Sequence, residues 1–376
     1  MRIAYFMPFK PLGHANPSGD LIIGSELVHV FKEYGHQVRL ISRLRSRWIY
    51  WKPWQVASLP IHFALACKKV RQIQADIWLS YHSYYKAPDL LGPFCTRYLN
   101  LPYIIFQGIY ATKYRRRLTT FPGFWLNRFA LLAADLVFTN KHNDFINLKR
   151  IIPHDRLSFV APGIRIEMFR PCGKARLKLR KRWDVMDKPV IITAAMFRPG
   201  VKTRGIQQVI DACNLLYRNG IECLLVIIGD GENREILEQA AKKKLPRRHI
   251  FLGKIPREQL QFYFSAADLF VFPGIEESLG MVYLEAQACG LPVVALKQWG
   301  AGEAVLSGQT GILVKKNDIA DFAEAIATLL KDADLREKMG QVARRHVLQN
   351  HDVHRNYANM IMIIENLWKH RKYGRL

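Results

Sequence analysis

Between residues 189 and 296 the chain repeats one pattern: a short apolar, β-branched run followed by a longer stretch with helical spacing. The runs at 189–194, 224–229, 250–253, 269–273 and 292–296 predict strands, and 206–217, 234–244, 259–267 and 281–289 predict the helices between them. Most of these runs are apolar throughout rather than alternating. Such strands are covered on both faces, which is the condition of a parallel sheet with helices on either side.

The first half keeps the rhythm less cleanly. Strands are expected at 3–7, 37–42, 77–80, 103–107 and 136–139, with a helix over 23–34 that stops at Gly35. Two successive doubly wound units imply an α/β chain of two Rossmann-like parallel-sheet domains facing across a cleft, with ligands at the carboxyl ends of the strands. The 376 residues suffice for two cores. The expected division is a first domain over 1–170, a second over 171–352, and a final helical segment, 353–376, packing back on the first. Residues 170–187 are basic and poor in β-branched residues, and they read as a link.

The formal net charge is +25. Residues 1–180 hold 28 Lys/Arg against 9 Asp/Glu, so most of the excess sits in the first half. That points to an anionic partner or to a Lys/Arg-rich soluble surface. The six cysteines form no C-x-x-C pair and have no histidines at zinc spacing. Neither a disulfide framework nor a zinc site is expected, and the usage fits a reducing compartment. Lys10 and Pro11 interrupt the first apolar run before a signal-peptide core forms, and no run approaches the roughly 20 residues that span a bilayer. The expected location is cytoplasmic, peripheral on the inner face of the plasma membrane.

The sharpest chemical signal follows the strand at 269–273. Glu277 stands at the strand-to-helix turn and Glu285 two turns into the helix, with Ser278, Leu279, Gly280, Met281 and Val282 between them. Gly280 permits close approach of the backbone. Amides at the helix start have no intrahelical partner, and the macrodipole there favours an anion such as a diphosphate. Carboxylates accept hydrogen bonds from hydroxyls. A nucleotide sugar has hydroxyls on both sides of its diphosphate, so the layout matches one; a solvated Glu pair on a surface helix has the same spacing.

Glu277-Ser278-Leu279-Gly280 to Glu285, followed by Gly290-Leu291-Pro292-Val293-Val294, resembles the E-x7-E signature of glycosyltransferase family 4, retaining enzymes of the GT-B fold. Gly229-Asp230-Gly231, Phe251-Leu252-Gly253, Ala266-Ala267-Asp268 and Val271-Phe272-Pro273 extend the resemblance over most of residues 160–315. It implies that Glu277 orients the donor sugar and that Glu285 holds the ribose hydroxyls. It also implies an Arg and then a Lys on the diphosphate. Arg198 matches the first; Lys202 is favoured for the second, with Arg204 as the alternative because it precedes Gly205. Fixed cations stabilise a leaving diphosphate without a metal, and no DxD-like pair stands at an expected strand end, so a metal-independent enzyme without a cofactor is expected. By the same resemblance, backbone groups near Gly253, Lys254 and Ile255 meet the base of a UDP-, GDP- or ADP-sugar.

In the first half, Gly19 lies in Pro17-Ser18-Gly19-Asp20, a place where GT-B enzymes have a glycine-bearing loop; a plain turn reads the same way. His82, after the strand at 77–80, is a candidate for contact with the reacting sugar or the acceptor. Where the family often has a histidine after the next strand, this chain has Gln107, which cannot act as a base. Two segments, 43–54 and 113–125, interleave cations with tryptophan, tyrosine and phenylalanine. That composition suits an anionic membrane surface, the alternative being core tryptophans beside solvated arginines. The acceptor expected is a lipid-linked or cell-envelope glycan such as lipopolysaccharide core. Nucleic acid is not an expected partner, since no recognition motif occurs. A nucleotide-sugar epimerase of the same fold and a non-catalytic nucleotide-sugar-binding subunit are the rival classes.

Overall fold

The computed structural model describes residues 1–13, 19–298 and 300–374. The chain forms two compact units, residues 1–161 with the segment from His354 onward, and Pro162–Val353. The division thus falls at Ala161, upstream of the basic segment, and the last helix, Val353–Tyr373, belongs almost wholly to the first unit.

The first unit has six parallel strands: β1 (Arg2–Phe6), β2 (Gln37–Ser42), β3 (Ile77–Tyr81), β4 (Tyr103–Phe106), β5 (Leu136–Thr139) and β6 (Leu157–Phe159). They run in the order β2-β1-β3-β4-β5-β6. β3, β4 and β5 are buried along their whole length, as their unbroken apolar character requires. The helices Leu59–Gln72, Gly92–Leu99 and Phe121–Ala133 bury apolar stripes in one core with Trp78, Tyr103 and Val137.

The second unit has β7 (Val190–Ala194), β8 (Leu224–Ile228), β9 (His249–Gly253), β10 (Leu269–Val271), β11 (Val293–Leu296) and β12 (Gly311–Val314), again all parallel, in the order β12-β11-β10-β7-β8-β9. The two Rossmann-like sheets expected from the sequence are therefore present. In each, the strand order reverses direction once, beside β1 in the first unit and beside β7 in the second. The carboxyl ends of strands at such a reversal are where open parallel sheets place ligands.

Residues 170–187 are more than a link. Gly173–Arg182 is a helix, and Arg176 and Arg180 reach Asp268 at 2.6 and 2.9 Å, while the Val190 amide donates to the same carboxylate at 2.7 Å. Burial alone would raise the Asp268 carboxyl, but the two guanidinium groups and the amide outweigh it and hold it low. These two arginines fasten the helix to the sheet. Among the described residues no helix is long and apolar enough to cross a membrane.

Candidate functional site

The second unit's reversal point lies between β7 and β10, and the segments leaving those two strands contain Arg198, Lys202, Glu277 and Gly280. After β10 the chain turns sharply. Gly274 and Glu276 are left-handed, at φ 70° and 54°, and the Glu277 amide closes the turn on the Gly274 carbonyl at 3.0 Å. Gly280 caps the helix Met281–Ala288 at φ 66°, with no side chain capping the helix tip. A Cβ there would overlap the Tyr283 ring, so fold and backbone angle both demand glycine, beyond any need for ligand approach. Leu279 is buried and anchors the turn from below, while Ser278 is exposed and Met281 and Val282 are half-buried. The Gly300 amide donates to the Glu277 carbonyl at 2.8 Å, which fixes the turn from a second side.

Three cationic residues come from the segment after β7. Gly200, at φ 94°, starts the helix Val201–Arg218. Lys202, in its first turn, pairs its Nζ with Glu277 Oε2, and the ammonium stands 5.3 Å from the centre of the Phe272 ring. The other carboxylate oxygen, Oε1, accepts from the Ser278 amide at 3.2 Å. Arg198 is half-buried, and its carbonyl is held by the Thr203 hydroxyl at 2.7 Å, which is held in turn by Asn233 Nδ2 at 3.0 Å. Arg204 is exposed. Of the two residues the sequence left open, Lys202 is the one brought to Glu277.

Glu285 is only 6% exposed. Arg257 meets it with Nε at 2.8 Å and Nη2 at 2.7 Å, both on Oε1. Burial raises the Glu285 carboxyl and the guanidinium opposes that rise. Arg257 opens the turn Arg257–Gln259, directly after Gly253, Lys254, Ile255 and Pro256. Gly253 is buried and left-handed at φ 71°, Lys254 is exposed and Ile255 half-buried. The sequence reading did not single out Arg257, because nothing local marks an arginine 28 positions before its carboxylate.

In the first unit His82 follows β3 and is left-handed at φ 64°; Gln107 follows β4 and is left-handed at φ 62°. An L-residue held there stores strain that its surroundings must offset. His82 stacks on Tyr84 at 4.7 Å, and its Nδ1 lies 3.4 Å from Asp20 Oδ1, near enough for charge attraction but without hydrogen-bond geometry. Burial lowers the His82 pKa, Asp20 partly restores it and Lys141 lowers it further, so the ring is neutral near pH 7. Gln107 is fully buried with both amide atoms unpartnered. Tyr81 Oη, Thr139 Oγ1 and Asn140 Oδ1, at the same ends of β3 and β5, are buried without partners too. Buried polar groups are nearly always satisfied, so a cluster of exceptions at strand ends fits a polar ligand. Gly19 starts the helix Gly19–Glu33 with open space where a Cβ would stand; Pro17 and Ser18 lie outside the described residues. No group of three or more potential metal ligands occurs among the described residues.

The basic, aromatic segments divide. Trp48 packs against Tyr50 and Tyr85, and Phe124 is buried, whereas Trp51 and Trp54 are 53% and 69% exposed and Phe121 and Trp125 are also exposed. Half of the exposed large apolar side chains among the described residues lie between Trp51 and Leu132, and the helices of that stretch contain no acidic residue.

Residues 176–346 match the family model "Glycosyl transferases group 1". The GDP-mannose-dependent alpha-(1-6)-phosphatidylinositol monomannoside mannosyltransferase of Mycolicibacterium smegmatis is 34% identical over 206 residues, 53% of either chain. The chain thus spans about half the length of the curated relatives it matches. Among solved structures, HepE of Anabaena in complex with UDP is similar at a TM-score of 0.75 and 18% identity, covering 97% of this chain and 100% of its own. WaaG, a glycosyltransferase involved in lipopolysaccharide biosynthesis, is similar at 0.67 and 15%, covering 97% and 98%. These likenesses show the fold, GT-B.

Proposed function

We propose that the chain is a glycosyltransferase of the GT-B fold that moves a hexosyl group from a nucleoside-diphosphate sugar to a lipid-linked or cell-envelope glycan, with retention and without a metal. The observation that carries this reading is the Lys202–Glu277 pair set at the bare tip of the helix Met281–Ala288. The diphosphate lies on the amides of that tip, where the macrodipole favours it. Lys202 and Arg198 stabilise the charge that grows as the bond from the anomeric carbon to the phosphate oxygen breaks. Glu277 accepts hydrogen bonds from the donor sugar and Glu285 from the ribose. The acceptor hydroxyl attacks the face from which the phosphate departs, and its proton passes to the leaving phosphate oxygen. The protein contributes positioning and fixed charge, with no protein nucleophile.

The unpaired polar groups around Gln107 and neutral His82 support a hydroxyl-rich acceptor in the first unit. The exposed aromatic and basic surface between Trp51 and Leu132 supports docking on an anionic leaflet, hence a peripheral membrane protein at the cytoplasmic face. Since the mycobacterial relative is named for GDP-mannose, that donor heads the panel.

Incubation with UDP-, GDP- and ADP-sugars tests the reading. Slow donor hydrolysis or transfer is expected, with the anomeric configuration kept in the product by NMR. Inversion at C2 of the sugar without transfer would identify an epimerase, and binding without turnover a non-catalytic subunit. Flotation with anionic vesicles at low salt tests the membrane partner, which fails if the protein stays at the bottom.

A further inference from the structure

We propose that Arg257 is a positioning residue for nucleoside recognition: it holds Glu285 by one carboxylate oxygen and presents the other to the ribose hydroxyls. The inference rests on the donor reading above. Both guanidinium contacts fall on Oε1, from Nε at 2.8 Å and Nη2 at 2.7 Å. An oxygen of an ionised carboxylate has two lone pairs, so Oε2 can accept from the 2′- and 3′-hydroxyls together. Arg257 is itself confined. Its guanidinium carbon stands 5.6 Å from the centre of the buried Phe169 ring, and its side chain is only 22% exposed.

The position of Arg257 in the chain matters as much as its contacts. It follows Gly253–Ile255, the segment proposed to meet the base, by two residues, while Glu285 lies in the helix whose tip is proposed to meet the diphosphate. One ion pair therefore ties the base-reading segment to the ribose-reading residue. Without the guanidinium, Glu285 is a carboxyl 6% exposed and lacking its counter-charge, and such a group takes up a proton as the pH falls and loses acceptor capacity.

The test needs no acceptor and no turnover. Isothermal titration is run with UDP, GDP and ADP on the wild type, then with the 2′-deoxy form of the nucleotide that binds. The wild type is expected to prefer the ribonucleotide by about ten-fold. Arg257→Met is expected to shrink that preference to about two-fold, and to bind the ribonucleotide progressively less well from pH 8 to pH 5.5, where the wild type changes little. Arg257→Lys, which restores a cation, is expected to recover part of the preference. A loss of packing alone would weaken both nucleotides equally. An unchanged ribose preference in a folded Arg257→Met protein overturns the inference while leaving the donor reading standing. A wild type indifferent to the 2′-hydroxyl overturns the role of Glu285 and this inference with it; a wild type that binds none of the three nucleotides overturns the donor reading itself.

Discussion

Replacing Lys202 by methionine separates a catalytic ammonium from a structural ion pair. Lys202 meets Glu277, and their side chains are 24% and 21% exposed. A partly exposed pair of this kind is worth about 0–1 kcal/mol to stability. For a unit of this size that corresponds to a fall of at most about 2–4 °C in melting temperature. Its catalytic weight is larger. At about 4 Å from a phosphate oxygen, and with an effective dielectric constant near 20, one positive charge contributes about 4 kcal/mol. Part of this already acts on the bound donor, whose diphosphate is charged. Losing one fixed donor from such a site costs about 10²- to 10³-fold in kcat, about 2.7–4 kcal/mol. Lys202→Met is therefore expected to lower kcat for donor hydrolysis or transfer by about that factor, with a smaller rise in donor KM and a nearly unchanged melt. Because Lys202 and Glu277 touch, the double variant with Glu277→Ala should fall short of the product of the single losses. Exposed Arg204 is the control, and Arg204→Ala should stay within about three-fold of wild type. The reasoning is refuted if Lys202→Met keeps a third or more of kcat, if Arg204→Ala loses more than it does, or if the loss tracks a collapsed melting curve.

Other consequences follow from the same geometry. Gly280→Ala places a methyl on a left-handed residue and into the Tyr283 ring. Nucleotide binding by titration should drop at least ten-fold, with a stability loss of about 1–3 kcal/mol in urea melts. Asp268→Ala removes the counter-charge of the buried Arg180 guanidinium, which keeps only backbone carbonyls of Met186, Lys188 and Ala266, so urea unfolding of the second unit should lose about 3–5 kcal/mol. His351, whose Nδ1 lies 2.7 Å from the Pro162 carbonyl, is lowered to about 4, chiefly by burial. A histidine depressed on folding resists protonation, so its contribution is complete above the unfolded value near 6.5 and is lost as pH falls from there toward 4. That loss reaches about 3 kcal/mol, and His351→Gln should flatten the slope of stability between pH 7 and pH 4.5 in denaturant titrations.

Local pattern made the strands of the second unit readable: short, unbroken apolar runs such as 224–228, rich in β-branched residues and closed by Gly229-Asp230-Gly231, fit a sheet covered on both sides. The E-x7-E spacing was readable for the same reason, since both carboxylates and the helix tip between them lie within one turn and one short helix. Less was readable where a side chain's partner lies far away in sequence. Helix Gly173–Arg182 looked like a basic link because Arg180 finds Asp268 only after 88 positions. Trp48 and Trp51 stand three residues apart, yet one packs on Tyr85 and the other faces solvent, because Trp48 adopts a left-handed backbone.

The choice between Lys202 and Arg204 shows where the sequence stops. Two positions on a helix are about 200° apart around its axis, so only one of this pair can face the sheet. Gly205 is buried with its missing Cβ 2.9 Å from the Phe272 ring, and that close packing sets the helix rotation. Lys202 shares that side and reaches Glu277, leaving Arg204 outside. By itself the order of residues determined two parallel-sheet units, a helix tip able to take an anion and the two acidic residues around it, all consequences of short-range periodicity. The folded chain alone decided which cation meets Glu277, that Arg257 holds Glu285, and that Gln107, Thr139 and Asn140 gather unpaired at neighbouring strand ends. Those contacts depend on strand order and helix rotation, which the packing of the whole core fixes.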